Sequence, residues 1–360
     1  MNSTSVNKQK KALFLFTELA GYILNCMKEL AAEGSAQVHV VRWPVNAVAP
    51  FKFKLDGENI FYHERKELSD EALIDFVDKL QPDIIFCSGW IDKGYLKICS
   101  AYKGKIKTVL TFDNPWRNTL KQNLAALAGK YYIRKYFSHC WVSGAPQHIY
   151  AQKLGFNNDT ITDGFYSCDY NYFHRLYEEY RPEKIKHFPK RILFVGRYTR
   201  LKGVRELWQA FVKFQQEQPG EWELWCLGKG ELEKDFPVHD KIKNFGFVQP
   251  DELNRFIRGA GVFILPSHYE HWGVVVHEYA ACGFPLICST TTSAATTFLR
   301  EGENGFLHAP CSVDALVEVF KLLNQTPVEQ LIAMGDRSAE LAAAITPATW
   351  IASVKKYLNN

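Results

Sequence analysis

Short apolar runs alternate with helix-forming stretches along the whole of this 360-residue chain. Strands are expected at Ala12–Phe16, Val38–Val41, Ile84–Cys87, Thr108–Phe112 and Cys140–Val142 in the first half, and at Ile192–Val195, Glu223–Leu227, Ile242–Phe245, Val262–Leu265 and Leu286–Cys288 in the second. Helical patterns near Tyr22–Ala32, Asp70–Leu80, Arg117–Phe137, Pro146–Leu154, Val204–Gln216, Asp251–Arg258, Gly273–Cys282 and Val313–Leu323 separate them. Strands joined through helices run parallel, and a parallel sheet is covered by helices on both faces. The fold class is therefore α/β with doubly wound sheets. The length suits two domains, each with its own core. The rhythm lapses between about Asp169 and Lys190, a polar, aromatic and charged stretch with Pro182 and Pro189. It reads as a linker, 171–190, between a first domain at 1–170 and a second at 191–345. Helical patterns at Val328–Ala344 and Pro347–Leu358 end the chain, with 346–360 as a separate closing helix.

The bulk composition excludes several classes. Apolar residues make up 47% and charged residues 23%, a globular balance, and a formal net charge of +4 is too small to imply nucleic acid. Nine scattered cysteines form no CxxC pair, which fits buried free thiols in a reducing compartment rather than a disulfide or zinc framework. Lys8, Lys10 and Lys11 precede Ala12–Phe16, but that run is too short for a signal peptide, and no stretch approaches the roughly 20 apolar residues of a membrane span. A cytoplasmic protein is expected.

In doubly wound sheets, ligands bind beyond the carboxyl ends of the strands. The loop after Ile192–Val195 holds Gly196, Arg197, Lys202 and Gly203 just before a helix. Two cations there can hold a diphosphate, or can be solvated surface charges. Leu227-Gly-Lys-Gly230 is a glycine-bearing turn that lacks the dinucleotide-binding spacing, which disfavours a dehydrogenase. After Val262–Leu265, a polar loop carries Glu270, and Gly273 opens a helix that carries Glu278 and ends at Gly283 and Pro285. A strand, a polar loop and a helix N-terminus make an anion site. Eight residues along one continuous helix would separate the two carboxylates by a rise of about 12 Å. A retaining glycoside hydrolase needs its pair about 5 Å apart, so two contacts along an extended ligand fit better. Glu270 as a solvated loop residue and Glu278 as a satisfied helix carboxylate remain the plainer alternative.

These pieces together resemble the retaining GT-B glycosyltransferases of carbohydrate-enzyme family 4. The matching segments are Phe194-Val-Gly-Arg197 with Lys202-Gly203, Leu227-Gly-Lys-Gly230, Phe245-Gly-Phe-Val248, Leu265-Pro-Ser267, Glu270 with Glu278, Cys282-Gly-Phe-Pro285 and Glu303-Asn-Gly-Phe306, in the family's order. In the first half, Val142-Ser143 and Gly164-Phe165 match more loosely. The resemblance implies a GT-B fold, with two Rossmann-like domains facing a central cleft and the terminal helix around Trp350 crossing back to the first domain. It implies a nucleotide-diphosphate-sugar donor held by Arg197 and Lys202 at the diphosphate, Glu270 at the sugar and Glu278 at the ribose. Gly273 and Val274 would offer backbone N–H groups, Phe247 and Val248 would lie near the base, and Gly21, Gly196 and Gly228 would line the phosphate loops. Two departures stand out. Glu18-Leu-Ala-Gly21 has one glycine where the family has a pair, and Asp113, near the position of a family histidine, precedes Asn114 and Pro115. Asp113 is either a sugar or acceptor contact or a turn residue.

The implied activity is retaining transfer to a glycan or lipid-linked glycan in bacterial cell-surface polysaccharide synthesis. No cofactor beyond the donor is expected, and the lack of a D-x-D motif suits metal-independent transfer. A non-catalytic nucleotide-sugar-binding partner and a GT-B nucleotide-sugar epimerase are the alternatives. Residues 101–150 carry eight Lys and Arg against one acid, Asp113, with aromatics interleaved at Tyr131, Tyr132, Tyr136 and Phe137. That face suits peripheral contact with the anionic inner face of a cell membrane, or is a solvated helix with its aromatics turned to the core. No nucleic-acid partner is expected.

Overall fold

The computed structural model describes residues 9–44 and 54–359; Lys8 of the basic cluster lies outside them. The chain forms two compact units, one of residues 1–167 with 347–360 and one of 168–346.

The first unit holds seven strands: β1 (Lys11–Phe16), β2 (Gln37–Arg42), β3 (Ile60–Glu64), β4 (Ile84–Ser88), β5 (Lys107–Phe112), β6 (His139–Val142) and β7 (Ile161–Thr162). Their order is β3-β2-β1-β4-β5-β6-β7, and every pairing is parallel. Successive side chains on a strand point to opposite faces. Here that alternation separates two cores. Leu13, Leu15, Ile85, Cys87 and Leu110 pack into one layer, while Ala12, Phe14, Phe16, Ile84 and Phe86 pack into the other. Both faces are dry, so the strands read as continuous apolar runs.

The helix Pro347–Asn359 belongs to this first unit and closes its second core. Trp350, Ile351, Val354 and Tyr357 are buried there. The Trp350 ring centroid lies 5.0 Å from that of Trp141, and its indole N–H donates to the Phe165 carbonyl at 2.9 Å.

The second unit holds β8 (Arg191–Val195), β9 (Glu223–Leu227), β10 (Ile242–Gly246), β11 (Val262–Leu265), β12 (Leu286–Ser289) and β13 (Gly305–His308). Their order is β10-β9-β8-β11-β12-β13, again all parallel. Chain order runs outward from β8 in one direction and, from β11, in the other. The connections after β8 and β11 therefore lead in opposite directions, a strand-order reversal that sets a crevice at the carboxyl edge in sheets of this kind.

Several elements differ from the sequence reading. β3, β7 and β13 were not anticipated: β3 is a half-exposed strand at the sheet edge, β7 is two residues long, and β13 begins inside the Glu303-Asn-Gly-Phe306 segment. The helix Lys93–Tyr102, capped by Asp92 accepting from the Tyr95 N–H at 3.0 Å, was likewise missed. The stretch taken as an interdomain linker, 171–190, is mostly the helix Tyr170–Lys186. It buries Phe173, Leu176 and Tyr180, a helical stripe that its charges and Pro182 obscured. Arg181 grips Asp336 with two 2.7 Å hydrogen bonds, holding this helix within the second unit. All nine cysteines are free thiols, eight of them buried.

Trp350→Ala should remove a large buried side chain and leave the Phe165 carbonyl unpaired, costing about 3–5 kcal/mol of first-unit stability. Urea unfolding followed by near-UV circular dichroism checks this; an unmoved first-unit transition would contradict the packing role.

Candidate active site

The candidate residues of the second unit come from loops at the carboxyl ends of β8 to β11. After β8, Gly196 donates its N–H to the Leu227 carbonyl at 3.0 Å, and Tyr198 donates its N–H to the Lys229 carbonyl at 2.9 Å. Tyr198 is fully buried, and its hydroxyl donates to Asn244 Oδ1 at 3.0 Å. Gly228 N–H donates to the Gly246 carbonyl at 2.7 Å. The loops after β8, β9 and β10 are thus bound into one rigid rim, which leaves Arg197 and Phe247 exposed and Val248 half-buried.

The loops after β8 and β11 meet at the crevice. A Cβ on Gly203 would sit 2.2 Å from the Pro266 carbonyl oxygen, so only glycine permits this approach. The His268 N–H donates to the Leu201 carbonyl at 2.9 Å. Beside this contact, Lys202 Nζ and Glu270 Oε2 form an ion pair, with both side chains largely buried. The Ser267 hydroxyl donates to the same Glu270 oxygen at 3.1 Å.

Hydroxyls from the loop after β12 fix the backbone around Glu270. Ser289 donates to the Ser267 carbonyl at 2.6 Å, Thr291 to the His268 carbonyl at 2.9 Å, and Ser293 to the Glu270 carbonyl at 3.3 Å. Gly273, at φ 93°, turns the chain into the helix Val274–Ala281, whose first N–H groups have no partner within the helix. This N-terminus and the Lys202 ammonium place fixed positive charge at one crevice.

Glu278 lies on that helix and is half-buried. Burial, and secondarily the charge of Asp169, push its carboxyl up to about 7. Its neighbour His277 is fully buried and structural. His277 Nδ1 accepts the Cys168 N–H at 3.2 Å, and Nε2 lies 3.0 Å from the Ala342 carbonyl, to which it donates. Burial lowers its pKa to about 4, so the ring is neutral. Glu270 and Glu278 do not share a helix as the rise calculation assumed: Glu270 sits in the loop, bridged to Thr292. The hydrolase dyad therefore has no helical spacing to argue for or against it.

Gly21 and Asp113 lie in the first unit. Gly21 is the first residue of the helix Gly21–Ala32 after β1, and Asp113 follows β5, its carbonyl accepting from Gln147 Nε2–H at 2.8 Å. Ser267 is part of a motif read from the sequence but was given no role there, and Ser289, Thr291 and Ser293, which pin the backbone around Glu270, were missed. The signal that could have found them is a run of hydroxyl residues, Ser289 to Ser293, directly after an apolar strand. Among the described residues no group of three or more His, Cys, Asp or Glu is placed to hold a metal ion.

Comparison with known proteins gives this geometry a family. Residues 177–339 match the model of the glycosyl transferases group 1. A D-inositol 3-phosphate glycosyltransferase of Acidothermus cellulolyticus is 34% identical over 131 residues, 32% of this chain and 29% of the relative. A 2-deoxystreptamine N-acetyl-D-glucosaminyltransferase of Niallia circulans is 27% identical over 159 residues, 41% and 40% of the two chains. The lipopolysaccharide core biosynthesis glycosyltransferase LpsE of Rhizobium meliloti is 31% identical over 123 residues, 32% and 34%. The match thus spans about a third of the length of these curated relatives. Among solved structures, Anabaena Alr3699/HepE in complex with UDP aligns with a TM-score of 0.74 at 16% identity, over 97% of this chain and 99% of that one. A Rickettsia africae glycosyltransferase aligns with a TM-score of 0.71 at 14% identity, over 98% and 99%. The chain has the GT-B fold of two Rossmann-like units, and its residues 177–339 match the glycosyl transferases group 1 model.

Proposed function

We propose that this chain is a glycosyltransferase that takes a sugar from a nucleotide-diphosphate donor and passes it, with retention of configuration, to a glycan or lipid-linked glycan. The observation that carries the reading is the Lys202–Glu270 pair at the crevice between β8 and β11, beside the Val274 helix N-terminus. A diphosphate is the ligand that answers both cationic features. When it takes Lys202, the Glu270 carboxylate is released to accept hydrogen bonds from sugar hydroxyls. Arg197, exposed on the rim, reaches the same anion from solvent. Gly196, Gly228, Gly273 and Val274 present backbone at close range. Glu278 accepts from the ribose hydroxyls, and Phe247 and Val248 lie along the base. The UDP named with Alr3699/HepE supports a nucleotide donor, and the LpsE likeness supports a cell-surface glycan acceptor.

The chemistry assigned to these residues is electrostatic. Charge grows on the bridging phosphate oxygen as the sugar departs, and Arg197 and Lys202 stabilise it without moving far. No carboxylate is assigned as nucleophile, so the acceptor attacks the face that the leaving phosphate vacates, and that phosphate takes the acceptor proton. The cations serve the leaving group directly, with no metal ion assigned. In the first unit, Asp113 is assigned to a sugar or acceptor contact and Gly21 to a donor-phosphate contact.

A thermal-shift screen against UDP-, GDP-, dTDP- and ADP-sugars should reveal one donor class that raises Tm, since 100-fold excess over Kd adds about 2.7 kcal/mol. With that donor, Arg197→Ala and Lys202→Ala should each lower turnover by roughly 10²–10³. Donor binding without transfer or hydrolysis would favour a non-catalytic binding partner, and sugar isomerisation without transfer an epimerase.

Glu278 gives a second test with opposite signs. Its folded pKa of about 7 exceeds the ordinary 4.5, so the folded state holds the extra proton between those values. The Glu278 contribution to the stability of the unliganded chain therefore falls as pH rises from 4.5 to 7, which the comparison of parent with Glu278→Gln isolates from the buried histidines. Glu278→Gln should match the parent near pH 4.5, melt higher above pH 7, and yet bind the donor more weakly. A variant that gains stability and keeps full donor affinity would remove Glu278 from the site.

A further inference from the structure

The helix Leu120–Tyr136 in the first unit has apolar residues on two different faces. Ala126 and Ile133 are its only buried residues. On another face Leu120, Leu124, Leu127 and Tyr131 are 85%, 71%, 68% and 79% exposed. At 3.6 residues per turn these four fall within an arc of about 60°, centred roughly 140° away from the buried pair. Single exposed leucines are ordinary, but four aligned over three turns form a patch that needs a partner. The helix follows Thr119, whose hydroxyl caps it by accepting the Gln122 N–H at 3.2 Å, so it is a properly started helix rather than a frayed end.

The charges around the stripe indicate which partner. Lys121 and Lys130 lie about 90° to either side of its centre, and Lys135 lies closer in. All three are exposed. Arg134, by contrast, is held down on the protein by hydrogen bonds to the Phe137 and Ser138 carbonyls. No acid occurs between residues 114 and 158. An aliphatic stripe with a tyrosine, flanked by long cationic side chains and free of carboxylates, matches the boundary between acyl chains and anionic headgroups. Among the described residues no helix is long and apolar enough to cross a membrane, so this face would lie on the surface rather than span it.

We propose that the helix Leu120–Tyr136 docks the chain onto an anionic lipid surface, with Leu120, Leu124, Leu127 and Tyr131 inserted at the acyl boundary and Lys121, Lys130 and Lys135 on the headgroups. The inference stands on this helix alone and is independent of the donor reading. Of the four aromatics in this stretch, Tyr131 and Tyr132 face outward, while Tyr136 packs against the core and Phe137 is buried in it.

The test is co-sedimentation of the full chain with vesicles of phosphatidylcholine alone and of phosphatidylcholine with phosphatidylglycerol. The parent should bind the anionic vesicles, and high salt should weaken that binding. The triple variant Leu120→Ser, Leu124→Ser, Leu127→Ser and the triple variant Lys121→Glu, Lys130→Glu, Lys135→Glu should each bind at least about tenfold more weakly. Because all six side chains are exposed, both variants should keep the parent's Tm. Absence of parent binding to anionic vesicles overturns the proposal, as does undiminished binding by the leucine variant at the parent's Tm. A dimer in light scattering that the leucine variant abolishes, with no vesicle binding, would assign the face to a second copy of the chain.

Discussion

Burial of both faces of a parallel sheet governs the rest of this molecule. Each central strand sends alternate side chains into two dry layers, so a polar residue in mid-strand would have no water and few partners. Polar chemistry is displaced to the strand ends. In the second unit the carboxyl ends of β8 to β12 carry Arg197, Lys202, the glycine turns, Glu270 and the hydroxyls that anchor it. Where the strand order reverses, the loops after β8 and β11 touch, and the Lys202–Glu270 pair stands beside that contact.

That pair is held from several sides. Lys202 is fixed by the close approach of Gly203 to Pro266, and Glu270 by Ser267 and by backbone pinned from Ser289, Thr291 and Ser293. A buried ion pair contributes little net stability, because desolvation offsets its attraction. Its worth here is positional: two charges are kept in place before any ligand arrives, so little reorganisation is left for the reaction. Glu278 carries a related cost, since its raised pKa means that the fold holds this carboxylate against its preference to stay solvated.

Elements with a clear pattern were legible in the sequence, and those without one were not. β1, β4, β8, β9 and β11 are short apolar runs, and the structure places them within a residue of where the pattern does. β7 is too short to show a period, and β3 is a half-exposed edge strand with His63 and Glu64 in it. The helix Tyr170–Lys186 was misread because its charges and Pro182 outweigh three buried residues in any local count; its partner Asp336 lies more than 150 positions away. Lys202 and Glu270 could be named as site residues, but 68 positions separate them, and no spacing rule shows that they touch.

The sequence by itself determined the class of fold and the identity of the loops that carry charge, because strand periodicity, glycine turns and helix starts are local properties of the chain. Tertiary structure decided what pairs with what: Lys202 with Glu270, Arg181 with Asp336, and Trp350 with the core of the first unit. It also decided which way the helix Leu120–Tyr136 faces. Composition shows leucines, tyrosines and lysines there, but two apolar faces cannot both be buried against a single core, and only packing selects the one left exposed.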